Sequence, residues 1–125
     1  INEQDYSNLF NKSLSLLEEV KNGFVKRSVQ TDLIQNSIST SPFPVLVCGD
    51  FNDSPTSYTY NTIKGDLQDT YMNSGSGSGR TYIGEFPFFR IDYIFADSTL
   101  ESSNYRTHPE ELSNHHPISV NLNWN

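Results

Sequence analysis

The sequence predicts a layered α/β (α+β) domain, and three observations carry that prediction. A helical rhythm fills the first third of the chain. Three runs with strand character follow it. The first of these runs is apolar without alternation, the pattern of a strand covered by helices on both sides. With 125 residues, the chain fits one domain with a moderate core.

Between Asp5 and Ser39, Phe10, Leu14, Leu17, Val20 and Phe24 recur at spacings of three and four, and Val25, Val29, Leu33 and Ile38 continue the series. This is an amphipathic helical layer. Gly23 is expected to break or kink it, because glycine is costly inside a helix. "SPFP" then stops the helix, since each proline pushes the preceding residue toward extended geometry. "VLVCGDF" is read as a strand buried on both faces, with Cys48 a small core residue.

"NDSPTSYTYNTI" reads as a turn into a short helix, capped by Asp53 or Ser54 with Pro55 in its first turn. "NSGSGSGRT" is a flexible loop by composition, either at the edge of a site or a plain connector. Phe86, Phe88 and Phe89 read as packing for the strand that follows. In "RIDYIFA", Ile91, Tyr93 and Phe95 fall on one face, and Asp92 and Ile94 on the other. "ISVNLNW" alternates Ile118, Val120, Leu122 and Trp124 with polar residues, so it is half-exposed.

The net charge is −7, carried mostly by the second part of the chain. Four basic and five acidic residues precede Pro42, whereas four and ten follow from there. That balance argues against a general polyanion binder. It leaves room for phosphoester chemistry, because a bound cation inverts the local potential. One cysteine excludes an intrachain disulfide framework. No targeting or transmembrane segment is present in the chain, which is expected to be soluble. The polar start "INEQDY", without methionine, suggests a fragment or processed product.

Chemistry concentrates at strand ends. "GDFND" closes the first strand with Asp50 and Asn52; "RIDYIF" puts Asp92 among apolar neighbours; "SNHHP" delivers Asn114, His115 and His116 before the last strand. Asp50 and Asn52 serve equally well as ordinary turn formers. Asp92 is different, because a carboxylate among Ile91, Tyr93, Ile94 and Phe95 needs a partner. His115 is the natural one, since an aspartate fixes an imidazole's tautomer and stabilises its protonated form. His116 reads as a turn or packing residue, and His108 as a surface loop residue. Together these groups can align a water through Asp50, hold a phosphoryl oxygen with the Asn52 amide, and meet developing charge with the His115–Asp92 pair.

The ordered trio "PVLVCGDFND", "RIDYIF" and "SNHHPI" resembles the C-terminal half of the endonuclease/exonuclease/phosphatase (DNase I-like) superfamily. The likeness runs from about Arg27 to the end and includes "KRSVQTDLI". It implies half of a four-layer αββα sandwich and Mg²⁺- or Mn²⁺-assisted attack of water on a phosphoester. By position it makes Asp50 the water-orienting carboxylate, Asn52 the phosphate-contacting amide, and Asp92 the partner of a catalytic His115. Asn52 and His115 would then bind substrate.

Two departures from the pattern shape the expectations. The family domain is about twice as long, so an N-terminal half with an asparagine and a metal-holding glutamate is expected to precede Ile1. Nothing in Ile1 to Phe24 resembles those motifs. Asn114 stands where the family has a metal-proximal aspartate, which makes it a weak metal ligand. The chain alone is therefore expected to be inactive, although its parent is a metal-dependent phosphatase or nuclease. A small or lipid-linked phosphoester is favoured over DNA. The sheet face left by the absent half is expected to drive self-association. The rival reading is a non-catalytic interaction module that keeps the fold after losing its metal site. An unrelated small β-rich binding domain would require the trio to be coincidence.

Overall fold

A computed structural model describes residues 3–84 and 90–125. The chain opens with one helix, α1 (Glu3–Ser39), whose first turn carries Glu3 and Asp5 where the helix dipole favours acids. Gly23 does not break the helix, which runs through it unbroken. A lone glycine without a neighbouring proline costs only about 1 kcal/mol in a helix, and a Cβ there would meet nothing within 4 Å. Of the apolar series expected to form the amphipathic layer, only Ile38 packs on the core; Val25, Val29 and Leu33 are exposed. Thr31 is buried against Thr59. By contrast, Tyr6, Phe10, Leu14, Leu17, Val20 and Phe24 are exposed.

The first sheet has the order β1-β3-β2 and is antiparallel throughout. Its strands are β1 (Leu46–Asp50), β2 (Gln68–Asp69) and β3 (Asp92–Ala96). Helix α2 (Tyr58–Lys64) follows β1, and α3 (Thr70–Ser74) follows β2. The cap of α2 is Ser57 and not Asp53 or Ser54: the Ser57 hydroxyl accepts from the Tyr60 N–H, so the helix starts after Pro55. The second sheet pairs β4 (Leu100–Thr107) with β5 (Ile118–Trp124). Its register slips between Ser103 and Arg106, where Asn104 adopts φ 54° and Tyr105 turns inward.

The strand alternation read from "RIDYIFA" is what the fold uses. Tyr93 and Phe95 join Tyr60, Ile63 and Leu67 in the core under α1 and α2, with Val47 of β1 and Phe51 just after it packed beside them. Ring pairs such as Phe51–Tyr93 and Tyr60–Phe95, 4.9 and 5.3 Å between centroids, make this core largely aromatic. Asp92 and Ile94 face the other way. Among the described residues, however, β1 is an edge strand with β3 as its one neighbour. Leu46 and Cys48 are exposed, so neither the double-sided burial expected for this strand nor a core position for Cys48 is realised. The apolar run is covered on its helix side only. The expected packing by Phe86, Phe88 and Phe89 lies outside the described residues.

A buried ion pair joins the two sheets' support. Arg90 Nη1 lies 2.8 Å from Asp69 Oδ2, and both side chains are almost fully buried. The remaining acceptor capacity of Asp69 is filled by the Tyr60 hydroxyl at 2.7 Å and the Tyr71 N–H at 3.1 Å. The guanidinium sits over the rings of Tyr71 and Tyr93 at 4.4 and 4.8 Å. The loop "NSGSGSGRT" is ordered against this cluster: the Tyr71 hydroxyl donates to the Gly77 carbonyl, and Gly79, at φ 64°, lies where a Cβ would strike Tyr71.

Removing one partner of such a pair strands a buried charge, which costs about 3–5 kcal/mol. Asp69→Asn should therefore lower the urea unfolding free energy by about that amount, while Asp69→Asn combined with Arg90→Met should recover part of the loss. A single-variant cost below about 1 kcal/mol would mean the pair does not hold the fold.

Burial also pushes the phenols of Tyr60 and Tyr105 up to about 12, and raises that of Tyr93 as well. The folded state thus favours the neutral phenol. That contribution is complete below the ordinary tyrosine pKa of about 10 and is lost as pH climbs through about 12. Phenolate absorbance should show a late-titrating class of tyrosines coinciding with alkaline unfolding; one single transition near pH 10 (the ordinary value of about 10) would contradict it.

Candidate active site

The pairing of β1 with β3 sets Asp50 directly opposite Asp92. Each is the strand residue closest to the same end of the sheet, so two carboxylates meet there. After Asp50 the chain turns: Asp50 Oδ1 accepts from the Asn52 N–H at 2.8 Å, and Asn52 takes φ 49°, a left-handed conformation that asparagine tolerates. Tyr93 fixes the far side of this turn. Its hydroxyl lies 2.7 Å from the Asp53 carbonyl and 2.6 Å from that of Arg90.

His115 arrives from the other sheet. The segment before β5 pairs with the segment after the glycine-rich loop, through a bridge between Tyr82 and His115. Ile83 N–H donates to the Asn114 carbonyl at 2.9 Å, and His116 N–H to the Thr81 carbonyl at 2.7 Å. Ser113 closes the turn by accepting from the His115 N–H at 3.0 Å. Held this way, His115 Nδ1 lies 2.7 Å from Asp92 Oδ2, the pairing that the buried-carboxylate argument predicted. The other ring nitrogen, Nε2, lies 3.7 Å from Asp50 Oδ2. With Nδ1 turned to Asp92, Nε2 faces the Asp50 side.

These groups border a cavity of about 440 Å³ lined by Asn52, Asp53, Ser54, Tyr82, Ile91, Asn114 and His115. Asp50, Asn52, Asp92, Asn114 and His115 are therefore all brought to one place. His116 does not line the cavity, in line with its reading as a turn residue. His108 is not a free surface residue: it is half-buried, with Nε2 2.8 Å from the Ser119 hydroxyl and its N–H donating to the Pro117 carbonyl.

Two residues here escaped the sequence reading. Tyr82 stacks edge-on against the His115 ring at 5.6 Å and lines the cavity. Thr81, fully buried, accepts at Oγ1 from the N–H groups of both Ile91 and Asp92, at 3.1 and 3.2 Å. The signal was the turn from a glycine-rich stretch to "TY", which composition alone marked as loop.

The ligand atoms of Asp50, Asp92 and His115 lie within 4.8 Å of one another, compact enough for one cation. The carboxylates suit a hard divalent ion. Asp92 Oδ2 is, however, committed to the imidazole; the carboxylate lining the cavity is Asp53, beside the Asn114 amide, while Asp50 stands against the other ring nitrogen. The donor set fits a Mg²⁺-like ion, though with a single uncommitted carboxylate. No helix among the described residues is long and apolar enough to cross a membrane.

The profile of the Endonuclease/Exonuclease/phosphatase family matches residues 25–115, well over half of the chain. Solved structures with the same fold include a functionally unknown conserved protein from Enterococcus faecalis V583, at TM-score 0.66 and 17% identity, covering 79% of this chain. A mannosyl-6-phosphatase from Bacteroides thetaiotaomicron aligns at TM-score 0.55 and 21% identity over 78% of the chain. An endonuclease/exonuclease/phosphatase family protein from the same organism aligns at 0.53 and 21% over 77%. The chain spans only 44%, 44% and 43% of these structures. No curated protein matches the sequence.

Thr81→Val should leave the Ile91 and Asp92 N–H groups without their acceptor, at about 1–3 kcal/mol for each. Thermal unfolding should register the loss, Thr81→Ser should restore it, and a valine variant as stable as the wild type would refute this role.

Proposed function

As the chain belongs to the endonuclease/exonuclease/phosphatase family, we propose that it carries the acid–base half of a phosphoester hydrolase site acting on a small phosphomonoester. The observation that carries this reading is the 2.7 Å contact between His115 Nδ1 and Asp92, with Asp50 on the opposite side of the ring. Asp92 orients the imidazole. As the imidazolium, His115 donates from Nε2 to a phosphoryl oxygen and stabilises the charge that develops there. Asp50 orients the attacking water and accepts its proton. The Asn52 amide donates to a second phosphoryl oxygen without electrostatic repulsion.

Asp50 and Asn114 are the residues that would hold a divalent cation. When bound, such an ion supplies charge withdrawal from the phosphoryl group. Family membership supports metal dependence in general terms. The choice of Mg²⁺ or Mn²⁺ is a further part of the proposal. The small-molecule preference rests on the acidic chain and on a cavity of about 440 Å³, in the range of small-ligand sites. The sugar phosphatase among the structural neighbours agrees with it.

Because Asp50 is the single uncommitted carboxylate in the cluster, the 125-residue chain by itself is proposed to turn over poorly. Full activity belongs to a chain of the relatives' length. Asn114, which brings no charge, favours one second reading, a family domain that binds partners without catalysis.

In the full-length protein, assayed with Mg²⁺ and small phosphomonoesters, Asp92→Asn or His115→Ala should cut kcat/KM by about 100- to 10,000-fold. Hydrolysis by the wild type that survives both substitutions would sink the assignment. A wild type that is inert, but gains turnover with Asn114→Asp, would establish the non-catalytic reading.

A further inference from the structure

Beside the candidate active site lies a second cavity, of about 390 Å³, between the glycine-rich loop and the end of β4. Its walls carry Arg80, Arg106 and His108, with the hydroxyls of Ser76, Ser78 and Thr107. Among the described residues no carboxylate lines it, in a chain of net charge −7. Arg80 spends its Nε–H on the Tyr82 carbonyl at 2.7 Å, which fixes the guanidinium plane and leaves its terminal amino groups for another acceptor. Arg106 has no ion-pair or hydrogen-bond partner among the described residues. His108 is oriented by its bond to Ser119.

Position relates this cavity to the first one. Tyr82 stacks on His115, and Arg80 is two residues earlier in an extended segment, about 7 Å away. His108 is joined through Pro117 to the same turn that carries His115. Two guanidinium groups with planar, forked donors and several hydroxyls form a receptor for a tetrahedral oxyanion.

We infer that this cavity is a phosphate subsite, which holds a second phosphate group of the substrate while the first is presented to His115. The inference rests on the proposed hydrolase function for its substrate role, but not for anion binding itself. The ligand class is a small molecule with two phosphate groups on one compact scaffold, such as a sugar bisphosphate. Free phosphate has the same chemistry, so the test has to tell the two apart.

Binding is read first, by titrating inorganic phosphate into the protein and following the Arg80 Nε–H resonance by NMR. Saturable shifts are expected, weakened at least about tenfold by Arg106→Gln, the loss of one charge-assisted contact, and unchanged by His115→Ala. Arg106 is exposed on β4, so its substitution leaves the core intact. Steady-state kinetics come second. Arg106→Gln should raise KM for a sugar bisphosphate about tenfold with kcat preserved, and leave KM for the monophosphate unchanged. Absence of saturable phosphate binding, or binding indifferent to Arg106, overturns the subsite. Phosphate binding with equal KM effects on both substrates overturns its substrate role and leaves a free-phosphate site. A protein inert toward both substrates that still binds phosphate through Arg106 counts against the hydrolase reading and not against the subsite.

Discussion

The burial of Arg90 against Asp69 is the constraint on which much of the rest depends. A desolvated ion pair contributes little net stability unless every remaining polar atom is satisfied, and here the satisfaction is spread across several elements. Asp69 draws in the Tyr60 hydroxyl from α2 and the Tyr71 N–H from α3. Arg90 places its charge over aromatic rings from α3 and β3. The pair therefore fixes where β3 begins relative to β2 and the two short helices. A misplaced β3 would leave a charge buried without a partner, which is a stronger penalty than any single lost apolar contact.

From that anchor the site geometry follows. Tyr93, packed in the core, reaches with its hydroxyl to carbonyls of both Arg90 and Asp53, and so ties the turn after β1 to the start of β3. Thr81 ties the same start to the segment that pairs with His115. The catalytic candidates thus sit on backbone that the core and one buried hydroxyl hold from three directions. The Asp50–Asp92 juxtaposition would be repulsive if it stood alone. The imidazole stands between them, with Asp92 on its Nδ1 and Asp50 on the side of its Nε2.

How much of this was legible in the sequence depended on whether a residue's environment is local. Asp92 was legible because its neighbours along the strand are apolar, and a buried carboxylate demands a partner. His115 followed as the available cation. The face assignment of Tyr93 and Phe95 followed from period-two alternation. Arg90 and Asp69 were not legible, because their partnership spans 21 residues and neither stands out among its neighbours. Thr81 and Tyr82 were hidden by the glycine-rich stretch before them, whose composition signals freedom although Tyr71 and Arg90 hold it in place. The burial predicted for Cys48 and for the first turns of α1 failed for a different reason. Apolarity records a need for cover, and no described residue supplies that cover.

That unmet need bears on how the chain should be understood. A run such as "VLVCGDF" has the composition of a strand with both faces covered, yet β1 is covered on its helix side alone and has one neighbour. The exposed apolar residues of α1 tell the same story along Tyr6 to Phe24. The three solved structures compared above are longer, and the chain covers 43–44% of them. The composition of β1 therefore calls for cover on its outer face, over Leu46 and Cys48, that the described residues leave open.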